Sequence, residues 1–108
     1  MVTGNTVVLK GASDTPWAGR LLADCVRDAG LPPGVFNYLS GSGAQAGEAL
    51  VAHRHVAGIT FTGSVAGGRA MEAAAAGRFL GLGLELGGKD PAYVRADADL
   101  GHAVENLV

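Results

Sequence analysis

The sequence has 108 residues, a formal net charge of -2 and a hydrophobic fraction of 48%, which is enough for a buried core. Its eight basic residues are scattered, and this argues against nucleic acid as a partner because phosphate binding needs clustered Lys and Arg. No apolar run approaches the roughly 20 residues of a membrane span, so we expect no membrane partner. The single cysteine excludes an internal disulfide, and we expect a cytoplasmic protein.

The first part of the chain predicts a strand followed by an amphipathic helix. Residues 6–9 form a compact apolar run with β-branched side chains, which is typical of a strand buried on both faces. Pro16 is favoured at the first position of a helix, so Thr15 is the expected N-cap, and Gly30 is expected to end the helix. Cys25 lies on the apolar stripe of this helix, where we expect a buried and unreactive thiol.

The rest of the chain continues the alternation of strands and helices. Further strands are predicted at residues 35–39, 56–61, 80–86 and 92–94. Helices are predicted around residues 46–53, from Ser64 to about Ala76, and after a cap at Asp97 or Asp99. Short connections between these elements predict an α/β fold with a parallel sheet. Because the first strand is predicted to be buried and the last helical stripe still runs at Val108, we expect a sheet that is incomplete at both ends.

A strand–helix turn is the first candidate site. Phe61, Gly63 and Ser64 end a predicted strand, and Gly68 follows early in the next helix. Free N–H groups and the helix dipole at such a turn favour a pyrophosphate, Gly63 is expected to let a ligand approach the backbone, and Ser64 supplies a hydroxyl. The alternative is an ordinary capped turn, because the spacing matches neither the dinucleotide fingerprint with three glycines nor a P-loop.

Glu85 is the second candidate. It lies near the carboxyl end of a predicted strand, where ligands bind in open α/β sheets, and it is flanked by Leu84 and Leu86. The two leucines are expected to withdraw the carboxylate partly from water, which suits a general base. The alternative is a glutamate that caps a turn or pairs with Lys89.

Lys10, at the end of the first predicted strand, is the third candidate. Its charge suits a ribose or a phosphate, and the alternative is a solvated side chain. Because Lys10, Ser64 and Glu85 each follow the carboxyl end of a parallel strand, we expect them on one edge of the sheet. His53 and His55 lack an evident third ligand, so no metal site is predicted.

Several segments, in the correct order, resemble the aldehyde dehydrogenase family. Residues 84–91, Leu-Glu-Leu-Gly-Gly-Lys-Asp-Pro, look like the glutamate active-site segment of that family, and residues 61–68 look like its cofactor-phosphate turn. The resemblance implies a Rossmann-like parallel sheet with helices on both faces, of which residues 1–108 are one partial NAD(P)-binding domain. It also implies NAD or NADP as cofactor, a small-molecule aldehyde as substrate, oxidation to a carboxylic acid through a cysteine thioester, and a homo-oligomeric parent protein.

By this resemblance Glu85 is the general base that activates water. The implied cofactor contacts are Lys10 at the adenosine ribose or its phosphate, Ser13 at the same ribose, Gly43 and Gly47 near the adenine, Phe61, Gly63, Ser64 and Gly68 at the adenosine and pyrophosphate side, and Leu86 and Gly87 behind the nicotinamide. Ser13 stands where members that prefer NAD often carry Glu. A 2′-phosphate therefore meets no repulsion there, and NADP is permitted.

The sequence also departs from the family pattern. The family's nucleophilic cysteine lies beyond its glutamate, and Cys25 does not match that position. Gly11 stands where Pro is common in the family. The resemblance therefore implies that the 108-residue chain is inactive alone, and the alternative is a non-catalytic remnant that is at most a weak nucleotide-binding module.

Overall fold

The computed structural model describes residues 1–107. In chain order its elements are β1 (Val7–Lys10), α1 (Pro16–Asp28), β2 (Phe36–Leu39), a π-helical turn (Gly43–Gly47), α2 (Glu48–Ala52), β3 (Gly58–Gly63), α3 (Val65–Ala75), β4 (Gly81–Leu86) and α4 (Leu100–Leu107). This alternation, with parallel strand pairing, confirms the predicted α/β class. The predicted helix around residues 46–53 is instead the π-helical turn followed by the short α2.

The four strands form two separate parallel pairs. β1 pairs with β2, with Val7 opposite Phe36, and β3 pairs with β4, with Gly58 opposite Gly81. Among the described residues no hydrogen bonds join the two pairs, as expected for a sheet that is incomplete. Alternation of elements specifies a helical crossover within each pair, but it does not specify which pairs lie side by side.

The best packed region lies between the β3–β4 pair and helices α2 and α3. Val51 of α2 is 2% exposed and Met71 of α3 is 8% exposed, and they are the buried hydrophobic side chains among the described residues. Along β4, Leu82, Leu84 and Leu86 are half-buried, and the residues between them are exposed. This alternation is typical of a sheet that is covered on one face.

Helix α1 packs on β2 but leaves much of its apolar stripe uncovered. Trp17 is 82% exposed and Leu21 is 66% exposed. Cys25 is exposed too, so the prediction of a buried thiol is wrong. Val8 is 45% exposed, so β1 is not buried on both faces. The apolar pattern marked faces able to pack, but burial also needs an element on the other side, and none of the described residues supplies it.

The ends of the helices follow local signals. α1 begins at Pro16 and is followed by Gly30 with a φ of 76°, as predicted. At α4 the Oδ1 of Asp99 accepts a hydrogen bond from the N–H of His102 at 3.1 Å, which selects one of the two predicted caps. The strand predicted at residues 92–94 is wrong, because these residues are exposed and no neighbouring strand supplies hydrogen bonds to them.

Candidate functional site

The connection between β3 and α3 consists of Ser64 alone. Its Oγ accepts a hydrogen bond from the N–H of Gly67 at 3.0 Å, and its carbonyl accepts one from the N–H of Gly68 at 2.9 Å, which confirms Ser64 as the cap. The N–H groups of Val65 and Ala66, in the first turn, have no acceptor among the described residues. Together with the positive end of the helix dipole they are available to an anion beside the end of β3.

Two glycines of this turn make room for the ring of Phe61. A Cβ at Gly63 would lie 2.7 Å from the ring carbon Cζ, and a Cβ at Gly67 would lie 2.8 Å from the same atom. A side chain at Gly63 would therefore meet the chain's own aromatic ring, and the expectation that Gly63 lets a ligand approach the backbone stays a prediction.

Gly68 brings the start of α3 against β4. It is buried, and a Cβ there would lie 2.5 Å from Cδ1 of Leu86 and 2.6 Å from Cδ2. A larger residue would force either the Leu86 side chain or the helix itself to shift, since its Cβ would overlap the two methyl groups of Leu86. The position of the α3 N-terminus is therefore set by packing on the strand that carries Glu85.

Glu85 lies in β4 directly opposite Thr62 of β3. Its side chain is exposed, so the predicted partial withdrawal from water is wrong. Successive side chains of a strand point to opposite faces, and Leu84 and Leu86 therefore lie on the other face. None of the ion pairs among the described residues joins Glu85 to Lys89.

A backbone hydrogen bond joins the two candidate segments. The N–H of Gly87 donates to the carbonyl of Gly63 at 3.2 Å. Gly87 has a φ of 69°, a left-handed conformation that favours glycine, so the chain turns immediately after β4. The structure therefore brings Ser64 and Glu85 to the same edge of the β3–β4 pair, as the sequence predicted.

Lys10 and Ser13 belong to the other strand pair. Lys10 is the half-buried last residue of β1, opposite Leu39, and Ser13 is exposed in the loop of residues 11–15. Strand ends share an edge only within one sheet, and β1 is not in the sheet of β3 and β4. The expectation that Lys10 lies on the same sheet edge as Ser64 is therefore wrong.

The π-helical turn carries the two glycines expected near an adenine. At its start the Oγ of Ser42 accepts a hydrogen bond from the N–H of Gln45 at 3.1 Å. A Cβ at Gly43 would meet nothing within 4 Å, whereas a Cβ at Gly47 would lie 3.7 Å from Cε of Met71 in α3. Gly47 therefore packs towards α3, and Gly43 is exposed.

Tyr38 of β2 is a residue that sequence reasoning missed. Its hydroxyl donates a hydrogen bond to the carbonyl of Pro16 at 2.8 Å. Its ring lies over two glycines: a Cβ at Gly11 would be 3.0 Å from the ring carbon Cε2, and a Cβ at Gly19 would overlap the ring. The available signal was Gly11 itself, because a glycine at the end of a strand often marks the close approach of another part of the chain.

The resolved pKa shifts lie on the exposed surface of α1. The hydrogen bond from Arg20 lowers the pKa of Asp24, and Arg27 acts in the same direction. Hydrogen bonds to Asp28 and Asp24 raise the pKa of Arg27. These ion pairs are solvent-exposed contacts within one helix. They therefore belong to the surface of α1 and are not part of the candidate site at Ser64.

The described residues contain neither a membrane-spanning helix nor a cluster of metal-binding side chains. No helix among them has the length and apolar character needed to cross a membrane. Within residues 1–107 there is also no group of three or more His, Cys, Asp and Glu side chains placed to hold a metal ion.

The comparison with protein families agrees with this geometry. The model of the aldehyde dehydrogenase family matches residues 1–108. The chain belongs to the aldehyde dehydrogenase family. The strand–turn–helix at Ser64 and the strand at Glu85 are thus parts of an aldehyde dehydrogenase sequence.

Relatives cover nearly all of this chain, but the chain covers little of them. An aldehyde dehydrogenase of Davidiella tassiana is 49% identical over 102 residues, which are 94% of this chain and 21% of the relative. A D-glyceraldehyde dehydrogenase (NADP(+)) of Thermoplasma acidophilum is 43% identical over 108 residues, which are 100% of this chain and 22% of the relative. The chain therefore spans about a fifth of the length of the relatives it matches.

Solved aldehyde dehydrogenase structures share the fold. A mutant of aldehyde dehydrogenase C from Pseudomonas syringae, in complex with NAD+ and octanal, is 45% identical, with a TM-score of 0.76 over 92% of this chain and 20% of that one. An aldehyde dehydrogenase from Bartonella henselae has a TM-score of 0.76 at 38% identity, over 93% of this chain and 21% of that one. The Rossmann-like α/β class expected from the sequence is confirmed.

The cysteine of this aldehyde dehydrogenase chain lies apart from the Ser64 turn. Cys25 is exposed on α1, which packs on β2. Glu85 is in β4, whose strand partner is β3 and whose helical neighbour is α3. Cys25 and Glu85 are thus carried by different β–α–β units.

Proposed function

We propose that this chain supplies the cofactor site and the general base of an NAD(P)-dependent aldehyde dehydrogenase that oxidises an aldehyde to a carboxylic acid. The observation that carries the proposal is the hydrogen bond from Gly87 to Gly63. It fixes the start of α3, where an anion is favoured, beside the end of the strand that carries Glu85. Two chemically different groups are thereby held at one sheet edge.

The residues at the Ser64 turn fit a dinucleotide. The N–H groups of Val65 and Ala66, which have no acceptor within residues 1–107, suit a pyrophosphate, and Ser64 retains a hydroxyl hydrogen to donate. Phe61 and Gly68 shape the turn, and Leu86 and Gly87 are assigned to the nicotinamide side. When bound, NAD(P)+ supplies a hydride acceptor for the aldehyde carbon.

Glu85 is assigned to thioester hydrolysis. Its carboxylate takes a proton from water, the water oxygen bonds to the thioester carbonyl carbon, and the carbon–sulfur bond breaks to release a thiolate and the carboxylic acid. Exposure of Glu85 in the described residues gives its carboxylate access to water. Cys25 lies on another β–α–β unit, so we assign the nucleophile to a cysteine outside these 108 residues and expect no turnover by them alone.

Lys10 and Ser13 are assigned to the adenosine ribose, and Gly43 and Gly47 to the adenine. Ser13 carries no charge, so a 2′-phosphate meets no repulsion from it and both NAD and NADP are permitted. One relative is by name a D-glyceraldehyde dehydrogenase (NADP(+)), which supports this range of cofactors.

The parent protein is proposed to be a cytoplasmic homo-oligomer.

The test is an assay of the complete polypeptide that contains these residues. It should produce NAD(P)H from a panel of aldehydes in a thiol-dependent reaction. Glu85→Gln is expected to slow steady-state turnover about 10²- to 10⁴-fold and to leave a burst of NAD(P)H, since acylation precedes the step that needs the base. The matched control is Glu72→Gln, an exposed glutamate of α3, with unchanged turnover. Full activity of Glu85→Gln would overturn its assignment.

A second candidate is a non-catalytic module that binds nucleotide weakly. The observation that favours it is loose packing: the Cα radius of gyration is 18.2 Å, against about 13 Å for a compact domain of this length. A polypeptide without aldehyde-dependent NAD(P)H production, but with a melting temperature raised by NAD(P), would support this candidate over the first.

A further inference from the structure

Tyr38 touches both ends of the loop that carries Ser13. At the start of the loop its ring lies over Gly11, where a Cβ would be 3.0 Å from Cε2 and 3.2 Å from the hydroxyl oxygen. At the other end its hydroxyl donates to the carbonyl of Pro16 at 2.8 Å, and its ring covers the buried Gly19. One side chain from β2 therefore contacts both the first residue of the loop and the start of α1.

Backbone hydrogen bonds, one to β2 and one within the loop, hold the rest of the loop. The N–H of Gly11 donates to the carbonyl of Leu39 at 3.4 Å, and the N–H of Thr15 donates to the carbonyl of Ala12 at 3.3 Å. Ser13 lies inside this turn and is exposed. With both ends fixed by Tyr38, the loop has few conformations left, and a ligand that contacts Ser13 loses less entropy on binding.

The three residues also depend on one another. Tyr38 reaches Gly11 only because glycine leaves space there, and a proline at that position would also remove the N–H that donates to Leu39. Gly19 is equally necessary, because any side chain would overlap the ring. Tyr38 and two glycines from an earlier part of the chain thus form one structural unit.

We propose that Tyr38 is a positioning residue for the adenosine end of the cofactor, acting through the loop of residues 11–15. This rests on the proposed function, because that function assigns Lys10 and Ser13 to the adenosine ribose. Tyr38 does not itself touch the ligand. It holds Lys10 at the base of the loop and Ser13 within it before the ligand arrives.

The test compares two probes on the complete polypeptide by calorimetry. Adenosine 2′,5′-bisphosphate reports the adenosine side, and nicotinamide mononucleotide reports the nicotinamide side, to which Leu86 and Gly87 are assigned. Tyr38→Phe keeps the ring and removes one hydrogen bond, so we expect about fivefold weaker binding of the bisphosphate and unchanged binding of the mononucleotide. Amide hydrogen exchange at Thr15 is expected to accelerate about fivefold. Tyr93→Phe, at an exposed tyrosine, is the matched control for both measurements.

The outcomes separate this inference from the proposed function. Equal weakening of both probes would show a general structural role and overturn the inference. Binding of both probes by Tyr38→Phe as tightly as by the unaltered protein would also overturn it and leave the proposed function intact. If the unaltered protein binds neither probe, the proposed function fails and the inference falls with it, whatever the exchange rate at Thr15.

Discussion

The two β–α–β units of this chain join strand to helix in different ways. In the β3–α3–β4 unit Ser64 alone makes the connection, and its Oγ caps the helix. In the β1–α1–β2 unit the loop of residues 11–15 intervenes, Thr15 makes no side-chain cap hydrogen bond, and the helix starts with Pro16, which has no N–H. The first arrangement offers backbone donors to an anion, whereas the second offers side chains such as Ser13.

Packing differs between the units as well. The β3–α3–β4 unit holds Met71, is covered by α2 at Val51, and uses Gly68 to bring helix and strand together. The β1–α1–β2 unit relies on the ring of Tyr38 over glycine, and its helix exposes Trp17. In the unit with the tight turn, close packing places the N-terminus of the helix. In the unit with the longer loop, a side chain from a neighbouring strand has to hold the loop in place. This contrast between the two units can be tested with variants of the complete polypeptide that contains these residues.

The largest effect is expected from Gly68→Ala. The new Cβ would overlap Leu86, so the free energy of unfolding should fall by about 1–3 kcal/mol in urea titrations. Affinity for NAD(P) should fall too, since the start of α3 is displaced. Gly43→Ala is the control: a Cβ there meets nothing within 4 Å, and stability should change by less than about 0.5 kcal/mol. Equal stability of the two variants would refute close packing at Gly68.

Next in size is Ser13→Glu, which tests recognition by side chains in the loop. A carboxylate beside a 2′-phosphate should weaken binding of NADP about tenfold, or about 1.4 kcal/mol, and leave NAD within about twofold. Ser13→Gln is the control, because glutamine has nearly the same size as glutamate but no charge. This variant should bind NADP much as the unaltered protein does. Should Ser13→Glu bind NADP normally, the adenosine ribose does not lie at this loop.

A smaller effect separates the two helix caps. Ser64→Ala should lower the free energy of unfolding by about 1 kcal/mol, because the N–H of Gly67 loses its acceptor. Thr15→Ala should lower it by less than about 0.5 kcal/mol, because its side chain makes no cap hydrogen bond. Both values come from urea titrations. A larger loss for Thr15→Ala than for Ser64→Ala would reverse the comparison.

The smallest effect concerns the exposed charges of α1. The pKa of Asp24 is lowered, so its pairing with Arg20 stabilises the fold above the ordinary aspartate pKa, and this contribution is lost as pH falls through the lowered value. Stability measured from neutral to acidic pH should therefore fall slightly more in the unaltered protein than in Asp24→Asn. Asp90→Asn is the control and should follow the unaltered protein. Parallel curves for all three proteins would show that the pair adds nothing.

Local signals in the sequence determined where the elements begin and end. Pro16 opens α1, Ser64 caps α3, and Gly30 and Gly87 adopt the left-handed conformations that turn the chain. The parallel pairing of strands and the meeting of Ser64 with Glu85 at one edge were also predictable. Each of these features depends on residues that are neighbours in sequence or on the geometry of a single β–α–β unit.

Only the tertiary structure decided which side chains contact one another and which are exposed. The Phe61 ring fills the space beside Gly63, Tyr38 covers Gly11 and Gly19, and the Glu85 carboxylate is exposed. The sequence pattern also did not predict that the strands form two separate pairs. Hydrophobic periodicity marks a face that is able to pack, but its burial depends on side chains from distant parts of the chain, whose volumes and positions are fixed only when the elements meet.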